Sequence, residues 1–331
     1  MGSVANLGRG PHLAGVGGQA NVDDLDRLAR TDAGGLADPG NGGLARPGNG
    51  GLARPGWAGA LELGFAAEGP GAATRLVHRA HRGPLVVQRP LLPEGPELCH
   101  VYLLHPPGGL VGGDELRLDL RVGAQAQALI TTPAAGKAYR TLGPTSRLTQ
   151  ALAVGAGGSL EWLPQELIIF DGAAIEIETR LDLAPRARFI GAETICFGLP
   201  ARDEPFLRGA CRQRFEVWRG AEPLFIERGR FDGGAPVHAA AFGLAGAPVM
   251  TLLVAAPAPD AETVATLRAL ASALPSSDLA AATVLGDSEL LVVRYRGGSA
   301  ERARSFIQAG WQLLRPALLG RPAVAPRIWA T

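Results

Sequence analysis

From Trp57 onward the chain alternates apolar and polar residues in short runs. In Glu115–Val122, Leu116, Leu118 and Leu120 share one face, and Arg117, Asp119 and Arg121 share the other. Successive strand side chains point to opposite faces, so this run reads as a half-buried strand. Ala58–Ala66, Thr74–Arg82, Glu97–Leu104, Gln125–Thr132, Ser146–Val154, Ser159–Pro164, Ala174–Leu183 and Arg188–Phe197 continue the pattern, with Pro84–Pro90 as a further strand or extended segment. Turn signals such as Glu68-Gly-Pro-Gly71, Gly155-Ala-Gly-Gly158 and Ala184-Pro185 separate the runs. Arg212–Arg219 and Glu222–Phe231 read as a hairpin. Regular short strands at this spacing predict a sandwich, a barrel or a helical stack of sheets.

The texture changes at Pro248. Val249–Ala255 reads as a strand. Val264, Leu267, Leu270 and Leu274 fall on one face of a helix over Asp260–Leu274, with Asp260 as its N-cap. Ala281–Leu285 and Glu289–Tyr295 pair across Gly286-Asp-Ser288. Ser299 caps a helix over Ala300–Leu314, with Glu301 in its first turn. Trp329, in the Pro-rich ending, is expected to pack against the body. The expected division is a β body over about 57–247 and a helix-containing α+β part over about 248–331.

Residues 1–56 differ. Gly35–Gly42 recurs as Gly43–Gly50, and a third copy begun at Gly51 breaks at Trp57. Such a Gly-, Pro- and Asn-rich octapeptide cannot bury enough apolar surface to offset its ordering entropy. The expectation is a disordered extension, with at most a brief helix over Asn21–Arg30.

Composition narrows the partners. The formal net charge of the 331 residues is +1, so bulk charge points to neither nucleic acid nor a membrane surface. Cys99, Cys196 and Cys211 are widely spaced, which argues against a disulfide framework and for a reducing compartment. No signal-peptide pattern and no run of about 18 apolar residues is present, so a cytoplasmic protein is expected.

The candidate chemistry sits in loops and strand ends. His105-Pro-Pro-Gly-Gly-Leu-Val-Gly-Gly-Asp114 separates two strand-like runs and ends on a carboxylate. Its prolines cannot join a regular ladder, and its glycines permit positive φ and close backbone approach. Thr131-Thr-Pro-Ala-Ala-Gly-Lys137-Ala-Tyr-Arg140 lacks the first glycine and the hydroxyl residue of a phosphate-binding loop. Glu161-Trp-Leu-Pro-Gln165-Glu166 runs through an apolar stretch into Phe170-Asp171-Gly172. Glu166 and Asp171 are candidate general acid and base, metal ligands or solvated strand ends. Glu193 and Glu227 lie in apolar strands, where a carboxylate needs a partner. Arg212, Arg228 and Arg230 are the candidate partners. The six histidines form no His-x-His or i,i+4 pair, and no nucleophile elbow exists. The residues favour a binding or scaffold protein. The alternative is a hydrolase using Glu166 and Asp171, which requires the two carboxylates to converge in one pocket.

These motifs, in this order and together with Gly191-Ala-Glu-Thr-Ile-Cys-Phe-Gly198 and the ending Gly320-Arg-Pro-Ala-Val-Ala-Pro-Arg-Ile-Trp329, resemble the UreD (UreH) family of urease accessory proteins over about residues 57–331. The resemblance implies a mainly β, β-helix-like stack of sheets with a small α+β C-terminal part. It implies a non-enzymatic maturation chaperone that binds apo-urease structural subunits and UreF, and UreG through UreF, for nickel insertion into urease. It implies no tightly bound cofactor, with nickel in transit along an internal path. On that resemblance Asp114, Glu193 and Glu227 are the expected metal positions. His105, Lys137, Gln165, Glu166 and Asp171 are expected to shape loops or the partner surface.

Overall fold

The computed structural model describes residues 56–330. The extension expected over 1–56 lies, up to its last glycine, outside the described residues. In chain order the elements are β1 (Ala58–Ala66), β2 (Arg75–Arg82), β3 (Val86–Val87), β4 (Leu98–Leu104), β5 (Glu115–Val122), β6 (Gln127–Thr131), β7 (Gly136–Ala138), β8 (Ser146–Val154), β9 (Ser159–Leu163), β10 (Leu167–Ile169), β11 (Ala174–Leu183), β12 (Arg188–Phe197), β13 (Ala210–Arg219), β14 (Glu222–Asp232), α1 (Pro236–Ala239), β15 (Val249–Ala256), α2 (Ala261–Ser272), β16 (Leu279–Leu285), β17 (Leu290–Gly297) and α3 (Ala300–Leu319).

The chain winds. β4, β6, β9 and β12 lie parallel in one sheet, and β5, β8, β11 and β13 lie parallel in a second. Each strand of the first sheet is followed by one of the second, giving four stacked coils. β7, β10 and the last residues of β12 form a narrow third face. β1 continues the second sheet in parallel, β2 and β14 close its edges antiparallel, and β15, β17 and β16 extend the first. This is the expected β-helix-like stack with a small α+β part.

Three apolar clusters hold the layers together. Leu61, Leu120, Leu152, Trp162 and Phe189 fill the space between the two sheets. Ile175, Phe197, Phe206 and Phe231 fill the end near the third face. On the other side of the first sheet, Leu129, Ile190 and Leu253 pack against Trp311 and Leu314 of α3 and Leu267 of α2. The outer face of the second sheet is polar, with Glu176 bound by Arg147 and Arg212 from neighbouring strands. Such exposed pairs add little stability and keep the face in water.

Local chemistry explains the helix boundaries. The Asp260 side chain accepts the Thr263 N–H at 2.8 Å, as an N-cap should. Ser299 accepts from Arg302 in the same way. α3 continues past the expected end at Leu314 to Leu319, because Arg315 and Leu318 prolong its buried stripe; Gly320, at φ 64°, terminates it. Trp329 packs edge-on to Trp311, with ring centroids 5.5 Å apart, and donates to Thr131 Oγ1.

Candidate functional site

Each coil turns the same corner between the first and second sheets, so motifs far apart in sequence stack. The corner segments are 105–114, 132–145, 164–173 and 198–209. Backbone bonds tie one to the next. Leu110 N–H donates to Lys137 O and Tyr139 N–H to Leu110 O, both at 2.8 Å; Gly136 N–H donates to Glu166 O at 2.9 Å. Gly109 lies directly against the next corner: a Cβ there would sit 2.5 Å from Tyr139 Cε2 and 2.9 Å from Lys137 Cβ. The glycine is required by close approach.

Behind the corners is a cavity of about 250 Å³. Its walls are largely leucine and isoleucine. The polar residues along it are His105, Thr132, Lys137, Gln150, Gln165, Glu166, Glu193 and Thr194, with Trp162 beside them.

Glu193 projects inward from β12 and is 9% exposed. Thr179 Oγ1 donates to its carboxyl, and Gln150 Nε2 and Gln213 Nε2 each approach it at 3.4 Å. Burial is the main cause pushing its carboxyl up to about 7, and the nearby charge of Glu227 pushes the same way. The expected buried ion pair is absent here: no cation contacts Glu193 among the described residues.

Glu227 faces inward from β14, directly opposite Phe215 of β13, and Arg294 Nε donates to it at 2.6 Å. The expected arginines serve elsewhere. Arg228 and Arg230 fall on the opposite face of β14 by strand alternation, near Glu216 and Asp232, and Arg212 binds Glu176. Arg294 lies opposite Leu252, which in turn lies opposite Glu193, so all three share one inner row of the first sheet. Gln150, Thr179, Gln213 and Glu227 line the facing sheet. A polar seam therefore runs from the cavity past Glu193 toward Glu227 and Arg294 at the edge of the stack.

The remaining candidates occupy other settings. Asp114, 8% exposed, accepts the backbone N–H of Trp57 at 2.9 Å and of Val111 at 2.8 Å, clasping its own loop to the start of β1. His105 lines the cavity, where burial lowers its imidazole pKa against the opposing pull of Asp114. Both oxygens of Glu166 accept from Arg304 Nη2 of α3, at 2.9 and 2.8 Å. Asp171 accepts the backbone N–H groups of Leu207 and Arg208 and the Arg208 guanidinium, which holds its carboxyl below the usual range. Glu166 and Asp171 thus sit at opposite ends of β10, each bound to a different arginine, and only Glu166 reaches the cavity. The convergence a hydrolase would need is not present. Among the described residues no group of three or more His, Cys, Asp and Glu gathers to hold a metal ion, and no helix is long and apolar enough to cross a membrane.

Several site residues were missed by sequence reasoning, and they carried a signal. Gln150, Thr179 and Gln213 each occupy an inward position in strands whose other inward residues, Ser146 apart, are apolar. Lys137, which the sequence motif already singles out, is the only lysine in the chain; the other basic residues among its 32 Lys and Arg are all arginine.

Comparison with known proteins places a family on this architecture. The family model described as UreD urease accessory protein matches residues 58–330. A urease accessory protein UreD of Azoarcus sp. (strain BH72) is 49% identical over 272 residues, covering 82% of this chain and 93% of that protein. One from Dechloromonas aromatica (strain RCB) is 44% identical over the same length, again 82% and 93%. A urease accessory protein UreD 2 of Brucella anthropi is 41% identical, with 82% and 97% covered.

Proposed function

Because the chain belongs to the UreD family of urease accessory proteins, we propose that it is a maturation chaperone in the cytoplasm. It binds apo-urease structural subunits and UreF, reaches UreG through UreF, and passes nickel toward the urease active site without itself catalysing a reaction. The observation that carries the internal path is the polar seam: Glu193 of the first sheet lies at the cavity, Glu227 of the facing sheet lies at the open edge, and Gln213 of the facing sheet reaches Glu193 between them. A β stack has no structural need for polar residues at the inward positions of three adjacent strands, because buried polar groups cost free energy unless paired.

In this reading nickel is cargo. Nickel is better held by imidazole or thiolate than by isolated carboxylates. Single carboxylates spaced along a seam suit passage rather than storage. Asp114, whose oxygens hold backbone N–H groups, serves by shaping the mouth beside His105. Glu166, through Arg304, fixes the corner to α3.

The test is urease activation in cells carrying the structural subunits and the other accessory proteins. Deletion of this chain abolishes activation if the reading is right; undiminished activity without it defeats the reading. Glu193→Ala and Glu227→Ala should still retain apo-urease and UreF in pull-downs while leaving urease nickel-poor. If both variants, and Asp114→Ala, give fully loaded urease, the protein acts as a metal-free scaffold.

A further inference from the structure

Each sheet of the stack ends in two edge strands, and a free edge is a template for another strand. Three of the four edges are blunted. β2 carries Arg75, His78, Arg79, His81 and Arg82; β14 opens with Glu222-Pro223 and carries Glu227, Arg228, Arg230 and Asp232; β3 has two residues. Charge, proline and shortness are ordinary guards against pairing. β16 has none of them. Its seven residues, Leu279-Ala-Ala-Ala-Thr-Val-Leu285, include no charge, proline or glycine, and β17 is the only strand paired with it among the described residues.

One contact fixes which groups face out. Arg268 of α2 donates from Nε to Ala282 O at 3.1 Å. A helix side chain reaches a carbonyl that points out of the ladder, so Ala282 faces the free side. In an antiparallel strand the N–H and C=O of one residue point the same way, and alternate residues follow. Ala280, Ala282 and Val284 therefore present their backbone groups to the free side. None of these groups but the Ala282 carbonyl meets a partner outside the β16–β17 pair among the described residues.

The same alternation sets the chemistry of each face. Ala280, Ala282 and Val284 turn their side chains toward α2, where they join the apolar cluster under the helices. Leu279, Ala281 and Thr283 turn to the other side and are exposed, Leu279 by 55%. A strand laid along β16 would carry one row of side chains toward α2 and the other beside Leu279. The first row meets Arg268, which forms no ion pair among the described residues. An added strand supplies an N–H to Ala282 O, and the guanidinium it displaces is then free for a carboxylate. A second copy of β16 fits poorly, because its own Arg268 would be brought against this one.

We propose that the free edge of β16 binds an extended segment of a partner protein by strand addition, a segment with carboxylates on the side facing α2 and apolar side chains on the side facing Leu279. The proposal is read from the sheet edges and does not depend on nickel transit.

The probe is a fluorescein-labelled peptide, Thr-Val-Glu-Val-Glu-Val-Thr, with a counterpart carrying lysine for glutamate. Fluorescence anisotropy follows binding to the full chain, and 15N-alanine and 15N-valine labelling reports the β16 amides. The acidic peptide should bind saturably and slow hydrogen exchange at Ala280, Ala282 and Val284. The basic peptide should bind at least about tenfold more weakly, the scale of one charge-assisted bond. Arg268→Glu should reverse that preference. Ala280→Pro removes an outward N–H and no ladder bond, so it should fold and weaken acidic-peptide binding about tenfold. No binding of the acidic peptide at about 1 mM, the weak end of specific association, overturns the proposal. So do equal binding of the two peptides, binding that leaves the three amides unprotected, and an unchanged preference in Arg268→Glu, whether or not Ala280→Pro folds. Slowed exchange at the three amides without peptide, rising with protein concentration, gives the edge to a second copy and overturns it as well.

Discussion

Glu161 and Arg315 are separated by 154 residues and meet beneath α3, with Arg315 Nε 3.0 Å from Glu161 Oε2. Both side chains are sealed from water. The same guanidinium donates to Glu94 at 2.8 Å, Glu94 is bonded in turn to His100, and the Trp311 indole donates to Glu161 at 2.6 Å. A buried pair contributes little over a well-packed apolar substitute, because both ions must be desolvated. Its loss on one side is costly. Arg315→Met, which leaves two buried carboxylates without their cation, should lower unfolding stability by about 3–5 kcal/mol. Glu161→Gln, which still accepts from Trp311, should cost less. Urea unfolding followed by circular dichroism measures both, and equal costs would mean that charge is irrelevant at this contact.

Glu193 should make stability depend on pH. Its carboxyl is raised from 4.5 to about 7, so the folded state keeps a proton that the unfolded chain releases. Its stabilising contribution is full below about pH 4.5 and declines as pH rises to about 7, by on the order of 1 kcal/mol per unit. Glu193→Gln, permanently neutral, should show a shallower decline and gain on the parent at pH 8 relative to pH 5. Parallel urea midpoints for the two proteins across this range would refute the assignment.

Gly109→Ala tests the contact between consecutive corners. The added methyl would fall within 2.9 Å of Lys137 Cβ and closer still to the Tyr139 ring. Relieving that overlap must move one loop from the other, at about 1–3 kcal/mol. The thermal midpoint should fall by several degrees, and slowed hydrogen exchange at Tyr139 N–H, which bonds Leu110 O, should be lost first. A neutral Gly109→Ala would mean that the corners are less tightly coupled than they stand here.

Leu148→Phe separates stability from passage. Leu148 lines the cavity and packs against the apolar cluster at that end of the stack. Filling empty space costs little, so the variant should unfold within about 1.5 kcal/mol of the parent. If nickel crosses the cavity, urease activated with this variant should contain less nickel while pull-down of apo-urease is unchanged. Normal nickel content would exclude this cavity from the route.

Much of the fold was legible because strand alternation is a local property. Glu115–Val122, Ser146–Val154, Ala174–Leu183 and Arg188–Phe197 form strands over the same residues the pattern marked. Asp260 and Ser299 cap their helices because a cap needs only its own first turn. β7 and β10 escaped, since three residues are too few for a period and their pairing comes from coils stacked above and below. Arg294 as the partner of Glu227 escaped for a related reason: the two meet across sheets, 67 residues apart, and nearest-in-sequence arginines point outward.

By itself, then, the sequence determined a strand-rich chain with helices near its end, the corner motifs and the acidic residues set among apolar ones. Those are short-range facts, fixed by periodicity, capping and backbone permissiveness. The tertiary structure decided what each polar residue does. It turned Glu161 and Glu166 into anchors for α3 and Asp114 into a loop clasp. It separated Asp171 from Glu166 and brought Gln150, Thr179 and Gln213 to one carboxylate. Winding the chain into coils superimposes segments some thirty residues apart, and inward facing then depends on which strand lies opposite. Partners chosen by that superposition leave only a faint trace in one dimension: a polar residue where the alternation calls for an apolar one.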